Sequence, residues 1–121
     1  MAKILLIDDD PRTQALVSEI LVGQGHEVAT ADGGEVGVAA ALSDHGYDLV
    51  VTDLNMRGVN GWEAVRRIRA EIPAIRLPIL ALSAFTTAAD RDEAFDAGCN
   101  AYANKPVAAA DLLRRVQELI G

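Results

Sequence analysis

A single cysteine in 121 residues rules out an internal disulfide. The neighbours of Cys99, namely Ala97, Gly98 and Asn100, supply no cation to stabilise a thiolate, so Cys99 reads as a small apolar residue. Aromatic residues are scarce, one Trp, two Tyr and two Phe, so the core has to be aliphatic. No apolar run approaches the roughly 20 residues that span a bilayer. The amino-terminal stretch Ile4-Leu5-Leu6-Ile7 meets Asp8, Asp9 and Asp10 before a signal-peptide core forms. A cytoplasmic chain without a membrane partner is expected. Positive charge is also short: 11 Lys and Arg against 18 Asp and Glu give a net charge of −7. Such a chain repels nucleic acid and anionic lipid at long range. Arg66, Arg67 and Arg69, and the pair Arg114 and Arg115, read as solvated helix faces, and no nucleic-acid partner is expected.

What is present is an alternation of aliphatic runs and amphipathic stretches in a length that suits one domain, residues 1–121. Ile4–Ile7 and Leu49–Thr52 are continuous aliphatic runs of the kind that lie buried on both faces of a sheet. Ile79–Leu82 is a third, with Val28–Thr30 shorter and Ala101–Ala103 weak. Between them, Leu16, Val17, Ile20 and Leu21 fall at helical spacing, with Asp10 as cap and Pro11 in the first turn. Gly34–Leu42 is rich in Ala and Val. Asn60 with Glu63 resembles a capping box, Ala88–Ala97 is closed by Gly98, and Leu112, Leu113, Val116, Leu119 and Ile120 form a last amphipathic helix. Five strands alternating with five helices imply an α/β fold, a parallel sheet covered on both sides. In such sheets ligands bind at the carboxyl ends of the strands.

The polar residues collect at that edge. The first strand runs into Asp8-Asp9-Asp10, the third into Asp53 and then Asn55, the fourth into Ser83, and the fifth into Asn104-Lys105-Pro106. An Asp after a strand is usually a turn former or cap, which accounts for Asp10 but not for Asp8 and Asp9 as well. Ser83 or Lys105 alone would pass for a turn hydroxyl and a surface lysine. Together on one edge they suggest a site. Clustered carboxylates raise one another's pKa or demand a cation, and an oxygen-rich site suits Mg²⁺ (or Mn²⁺). One carboxylate at the edge of the metal shell can then attack phosphorus, with a lysine and a hydroxyl binding the phosphoryl oxygens.

Four stretches carry a resemblance that covers the whole chain: Ile4 to Pro11, Tyr47 to Met56, Pro78 to Ala84, and Gly98 to Pro106. In this order and at these separations they resemble a CheY-like response-regulator receiver domain of two-component phosphorelays. The resemblance implies a flavodoxin-like (βα)5 fold with strand order 2-1-3-4-5. It implies that Asp53 is phosphorylated by a histidine kinase or phosphotransfer protein, with only self-catalysed transfer and slow self-dephosphorylation as chemistry. Asp9 would bind Mg²⁺ directly, Asp8 mainly through a metal-bound water, and Asn55 through its backbone carbonyl. Ser83 would be the switch hydroxyl, Lys105 would pair with a phosphoryl oxygen, and the Lys105–Pro106 bond would be cis. Tyr102 matches an aromatic rotamer switch that turns inward past the small Ala84. A downstream protein would bind the surface of the fourth helix, fifth strand and fifth helix, including Arg91, Tyr102 and the exposed side of Leu112 to Gln117.

Two positions depart from the pattern. Arg57 stands where the family often has proline, freeing a backbone N–H and adding a charge; a looser loop or a cation for a donor or partner is expected. Phe85 is apolar where many relatives are polar. His26 and His45 are expected to be ordinary loop or surface residues, and Trp62 a reporter near the phosphoacceptor loop. Two other functions are weighed. Asp8 and Asp10 have the spacing of a haloacid-dehalogenase-type phosphatase, although Arg12 and the lack of room for a cap domain count against it. A phosphorylation-independent interaction module on the same fold is the other.

Overall fold

The computed structural model describes residues 1–43, 46–84 and 87–121, so His45 and Phe85 lie outside the described residues. The elements alternate in chain order: β1 (Lys3–Ile7), α1 (Pro11–Gly23), β2 (Glu27–Ala31), α2 (Gly34–Ser43), β3 (Leu49–Asp53), α3 (Gly61–Arg69), β4 (Ile79–Ser83), α4 (Ala88–Ala97), β5 (Ala101–Asn104) and α5 (Ala109–Ile120). All four pairings are parallel and the strand order is β2-β1-β3-β4-β5. This is the flavodoxin-like arrangement. Because β1 and β3 are neighbours although β2 lies between them in sequence, connections leave to opposite sides at their carboxyl ends and open a crevice there.

The middle of each central strand is a continuous aliphatic run because it feeds two cores. From β1, Leu5 and Ile7 enter one layer, Ile4 and Leu6 the other; from β4, Ile79 and Ala81 part from Leu80 and Leu82 in the same way. The first layer is closed by Val38 and Ala41 of α2, by Ala64, Val65 and Ile68 of α3, and by Ala94 and Ala97 of α4. The second is closed by Val17 and Leu21 of α1 and by Leu112 and Val116 of α5. Each fully buried Leu or Ile contributes roughly 1.5–3 kcal/mol, which makes these layers the main source of stability. Of the four apolar positions noted in α1, Leu16 faces outward, 58% exposed. It lines an apolar recess with Leu82, Pro106 and Val107 beside the carboxyl edge.

The helix ends follow local chemistry. Asp10 caps α1 by accepting from the Arg12 N–H, with Pro11 at the first helical position. Asn60 accepts from the Glu63 N–H, but the Glu63 carboxylate turns to Arg67 instead of reaching back to complete a capping box. At the close of α4, Gly98 has φ 122°, a conformation that a side chain disfavours. At the amino ends of β4 and β5, the half-buried Arg69 guanidinium donates to the carbonyls of Gly98, Ile72 and Leu77 and to Asn100 Oδ1. Asn100 Oδ1 also accepts from the Ile79 N–H, so one fork ties α3 to the starts of both strands. Cys99 is buried, and burial pushes its thiol up to about 12 despite the nearby Arg69 cation. His26 precedes β2 at this same end, its Nδ1 accepting from the Ala2 N–H at 3.1 Å. No helix among the described residues is long and apolar enough to cross a membrane.

Candidate functional site

The register brings the acidic residues together. Ile7 pairs with Thr52, so Asp8 leaves β1 beside Asp53 at the tip of β3. Carboxylate oxygens of Asp8, Asp9 and Asp53 lie within 4.8 Å of one another. Asp8 and Asp53 are only 1% and 3% exposed, and Asp9 lies nearer the surface. Lys105, just past β5, places Nζ 3.3 Å from Asp8 Oδ2 and 3.2 Å from Asp53 Oδ1. The Lys105–Pro106 peptide that follows is cis. The ammonium therefore meets two of the three carboxylates, Asp8 and Asp53.

The hydrogen bonds orient these groups. Asp8 Oδ1 accepts from the Asp10 N–H at 2.9 Å, which leaves Oδ2 facing Lys105. Asp53 Oδ1 accepts from the Asn55 N–H at 3.1 Å. Burial raises the Asp53 pKa above its ordinary value and Asp8 adds to that rise, while the Asn55 N–H and Lys105 oppose it. Ser83 at the end of β4 is fully buried and its hydroxyl donates to Asn55 Oδ1 at 3.3 Å. The same Asn55 oxygen accepts from the Ala84 N–H. Asp10, by contrast, is exposed and engaged with Arg12 and Thr13, outside the cluster. The Asp8 and Asp10 pairing that a haloacid-dehalogenase-type site would use is therefore not assembled.

Three contributions at this edge were not read from the sequence. The Asn55 side chain bridges β3 to β4, accepting from the Ser83 hydroxyl and the Ala84 N–H. Gln14 Nε2 holds the Asp8 and Ala31 carbonyls and Asp32 Oδ1, fixing the turn out of β1. Gly61 lets α3 begin against Asp53: a Cβ there would lie 2.3 Å from the Asp53 carbonyl oxygen. None of these has a local sequence signal, since each partner comes from a separate element or turn. The Arg57 N–H, which a proline would lack, donates to Asp9 Oδ2 at 3.0 Å and ties its loop to the turn after β1, while the guanidinium stays exposed. Tyr102 is buried, 8% exposed, and part of the layer that contains Ala94, Ala97 and Cys99.

The sequence profile of the response regulator receiver domain matches residues 4–117. The chain belongs to the response-regulator receiver family. Among curated relatives, the probable transcriptional regulatory protein SilR of Salmonella typhimurium is 36% identical over 118 residues, 98% of this chain and 50% of SilR. The transcriptional regulatory protein CusR of Escherichia coli is 35% identical over 98% of this chain and 51% of its own length. This receiver thus spans about half the length of the curated relatives it matches. Among solved structures, chemotaxis protein CheY4 of Vibrio cholerae superposes with a TM-score of 0.90 at 31% identity, covering 98% of both chains. The receiver domain of sensor histidine kinase PA1611 from Pseudomonas aeruginosa, solved with a magnesium ion coordinated in its active-site cleft, gives 0.90 at 34% identity, covering 99% of this chain and 98% of its own. The receiver is thus a two-component signalling module, and its relatives are named as regulators and receiver domains.

Proposed function

We propose that the receiver accepts a phosphoryl group on Asp53 from a phosphohistidine of a histidine kinase or phosphotransfer protein. The observation that carries this reading is the convergence of Asp8, Asp9 and Asp53 within 4.8 Å, with Lys105 Nζ against two of them. The donor set is all hard oxygen, which fits Mg²⁺ or Mn²⁺ better than a soft metal. Asp8, Asp9, Asp53 and the Asn55 backbone carbonyl would hold the ion. When bound, it supplies positive charge that offsets the carboxylates and the incoming phosphoryl oxygens.

An Asp53 carboxylate oxygen attacks phosphorus, the P–N bond to the donor imidazole breaks, and the imidazole leaves with the electron pair and takes up a proton. The product is an aspartyl phosphate. Lys105 Nζ, already 3.2 Å from Asp53 Oδ1, donates to a phosphoryl oxygen. The Ser83 hydroxyl exchanges Asn55 Oδ1 for another phosphoryl oxygen, drawing the end of β4 toward the site. That movement shifts a two-state population at the surface of α4, β5 and α5. There Arg91, Tyr102 and Arg115 line a shallow recess with a volume of about 270 Å³, the proposed contact for a downstream protein. The expectation of no nucleic-acid partner rests on the charge of this segment alone, and the relatives named transcriptional regulators are about twice as long.

Incubation with a phosphohistidine donor or acetyl phosphate and magnesium is expected to add one hydroxylamine-labile phosphoryl group, read by intact mass. Labelling of Asp53→Asn to the wild-type level would overturn the assignment. Beryllofluoride with magnesium, titrated against Trp62 fluorescence, separates this reading from a phosphate-independent interaction module, for which no response is expected.

A further inference from the structure

Arg57 meets Asp9 twice. Its main-chain N–H donates to Asp9 Oδ2 at 3.0 Å, and its guanidinium Nε stands 3.7 Å from the same oxygen while the side chain is 95% exposed. The two contacts have opposite consequences for a cation. The N–H is bound while the three carboxylates converge within 4.8 Å, so it is compatible with the ligand array and fixes one member of it. A proline at this position has no such donor. The guanidinium is a fixed positive charge beside the place where a divalent cation would sit, and like charges repel.

We propose that Arg57 is a positioning residue that sets the magnesium affinity of the site. Its backbone N–H holds Asp9 in the ligand array, and its guanidinium opposes the incoming ion. The inference rests on the reading of this edge as a magnesium site. Because the guanidinium is solvated, its effect is a few-fold and depends on salt. The consequence is a receiver that needs more magnesium to load at low ionic strength, and loses less affinity as salt rises, than an Arg57-free site would.

The test is calorimetric titration of the folded chain with magnesium chloride, comparing wild type, R57A, R57E and R57P. R57A, which keeps the N–H, is expected to bind about threefold more tightly at low ionic strength, and R57E about tenfold. Both gains should fall below about twofold in about 0.5 M salt. R57P removes the guanidinium and the N–H together and is expected to bind at least about threefold more weakly than R57A. Equal affinity of R57A and wild type overturns the proposal, as does R57P binding as tightly as R57A. Hydrogen exchange supplies a second measurement should R57P fail to fold. The amide of residue 57 in R57A is expected to be protected and to lose that protection in R57A/D9A; unchanged exchange overturns the role of the N–H. A wild type that gives no magnesium response overturns both this inference and the proposed function, whereas a response that Arg57 variants leave unchanged overturns the inference alone.

Discussion

Replacing Asp53 by asparagine is expected to stabilise the metal-free fold at neutral pH, although it removes an ion pair. The sign follows from burial and from the neighbours. At an effective dielectric of about 20, Lys105 at 3.2 Å attracts an ionised Asp53 by about 5 kcal/mol. Asp8, within 4.8 Å, repels it by about 3–4 kcal/mol, and Asp9, nearer the surface, by less. The repulsions offset much of the attraction, and burial, the largest contribution, tips the balance against the ionised form. Asparagine keeps an oxygen for the Asn55 N–H, and Lys105 keeps Asp8. After relaxation, a net gain of about 1–2 kcal/mol, or roughly 3–8 °C in Tm, is expected. The pH dependence fixes the cause. Asp53 has a folded-state pKa above its ordinary 3.8, so the folded chain holds this proton more tightly than the unfolded chain does. Wild-type stability therefore falls as pH rises from the ordinary value through the raised one, and the Asn advantage grows over that window. Below it, Asp53 is protonated in both states and the advantage disappears. The assay is thermal unfolding by far-UV circular dichroism in EDTA across that range, then in saturating magnesium, where the wild type should gain more than the variant. A variant less stable than the wild type in EDTA at neutral pH would refute the electrostatic reasoning.

Lys105→Met is expected to lower stability in EDTA by about 1–3 kcal/mol by leaving two buried carboxylates without their cation, with magnesium restoring part of the loss; denaturant titration with and without the ion checks it. Gly61→Ala should cost roughly 1–3 kcal/mol, since its Cβ would press on the Asp53 carbonyl and the Leu54 backbone, and should displace the Asp53 and Asn55 amide resonances in a nitrogen-correlated NMR spectrum. Cys99, with its thiol pushed up to about 12, should resist iodoacetamide at mildly alkaline pH in the folded chain and react promptly once unfolded. Arg69→Ala leaves three carbonyls and Asn100 without their donor and should cost about 2–3 kcal/mol, read by chemical denaturation.

The parts of the fold that depend on local pattern were legible in the sequence. Aliphatic runs at Ile4–Ile7, Leu49–Thr52 and Ile79–Leu82 marked the central strands because burial on both faces leaves no room for polar alternation. The weak run Ala101–Ala103 was legible as a fifth strand from the alternation around it, and its place at the sheet edge followed only from the family resemblance. Asp8, Asp9, Asp53, Ser83 and Lys105 could be gathered at one edge because a parallel sheet sends all its carboxyl ends the same way. What escaped was whatever depends on a partner distant in sequence. Leu16 satisfies the helical period, yet the stripe that meets the sheet is centred on Val17 and Leu21. The immediate neighbours of Cys99 contain no cation, but Arg69 arrives from α3. The use of the Arg57 N–H by Asp9 follows from loop geometry that no residue type encodes.

The Arg69 fork has a mechanical consequence. It binds the amino ends of β4 and β5 to the last turn of α3, at the end of the sheet away from Asp53. The Ser83 displacement proposed above would then be held at that far end and would swing about it. On the proposed function the tips of β4 and β5 and the start of α4 would describe the widest arc, and the clamp would be the pivot that turns a small pull beside Asp53 into a larger excursion at the start of α4.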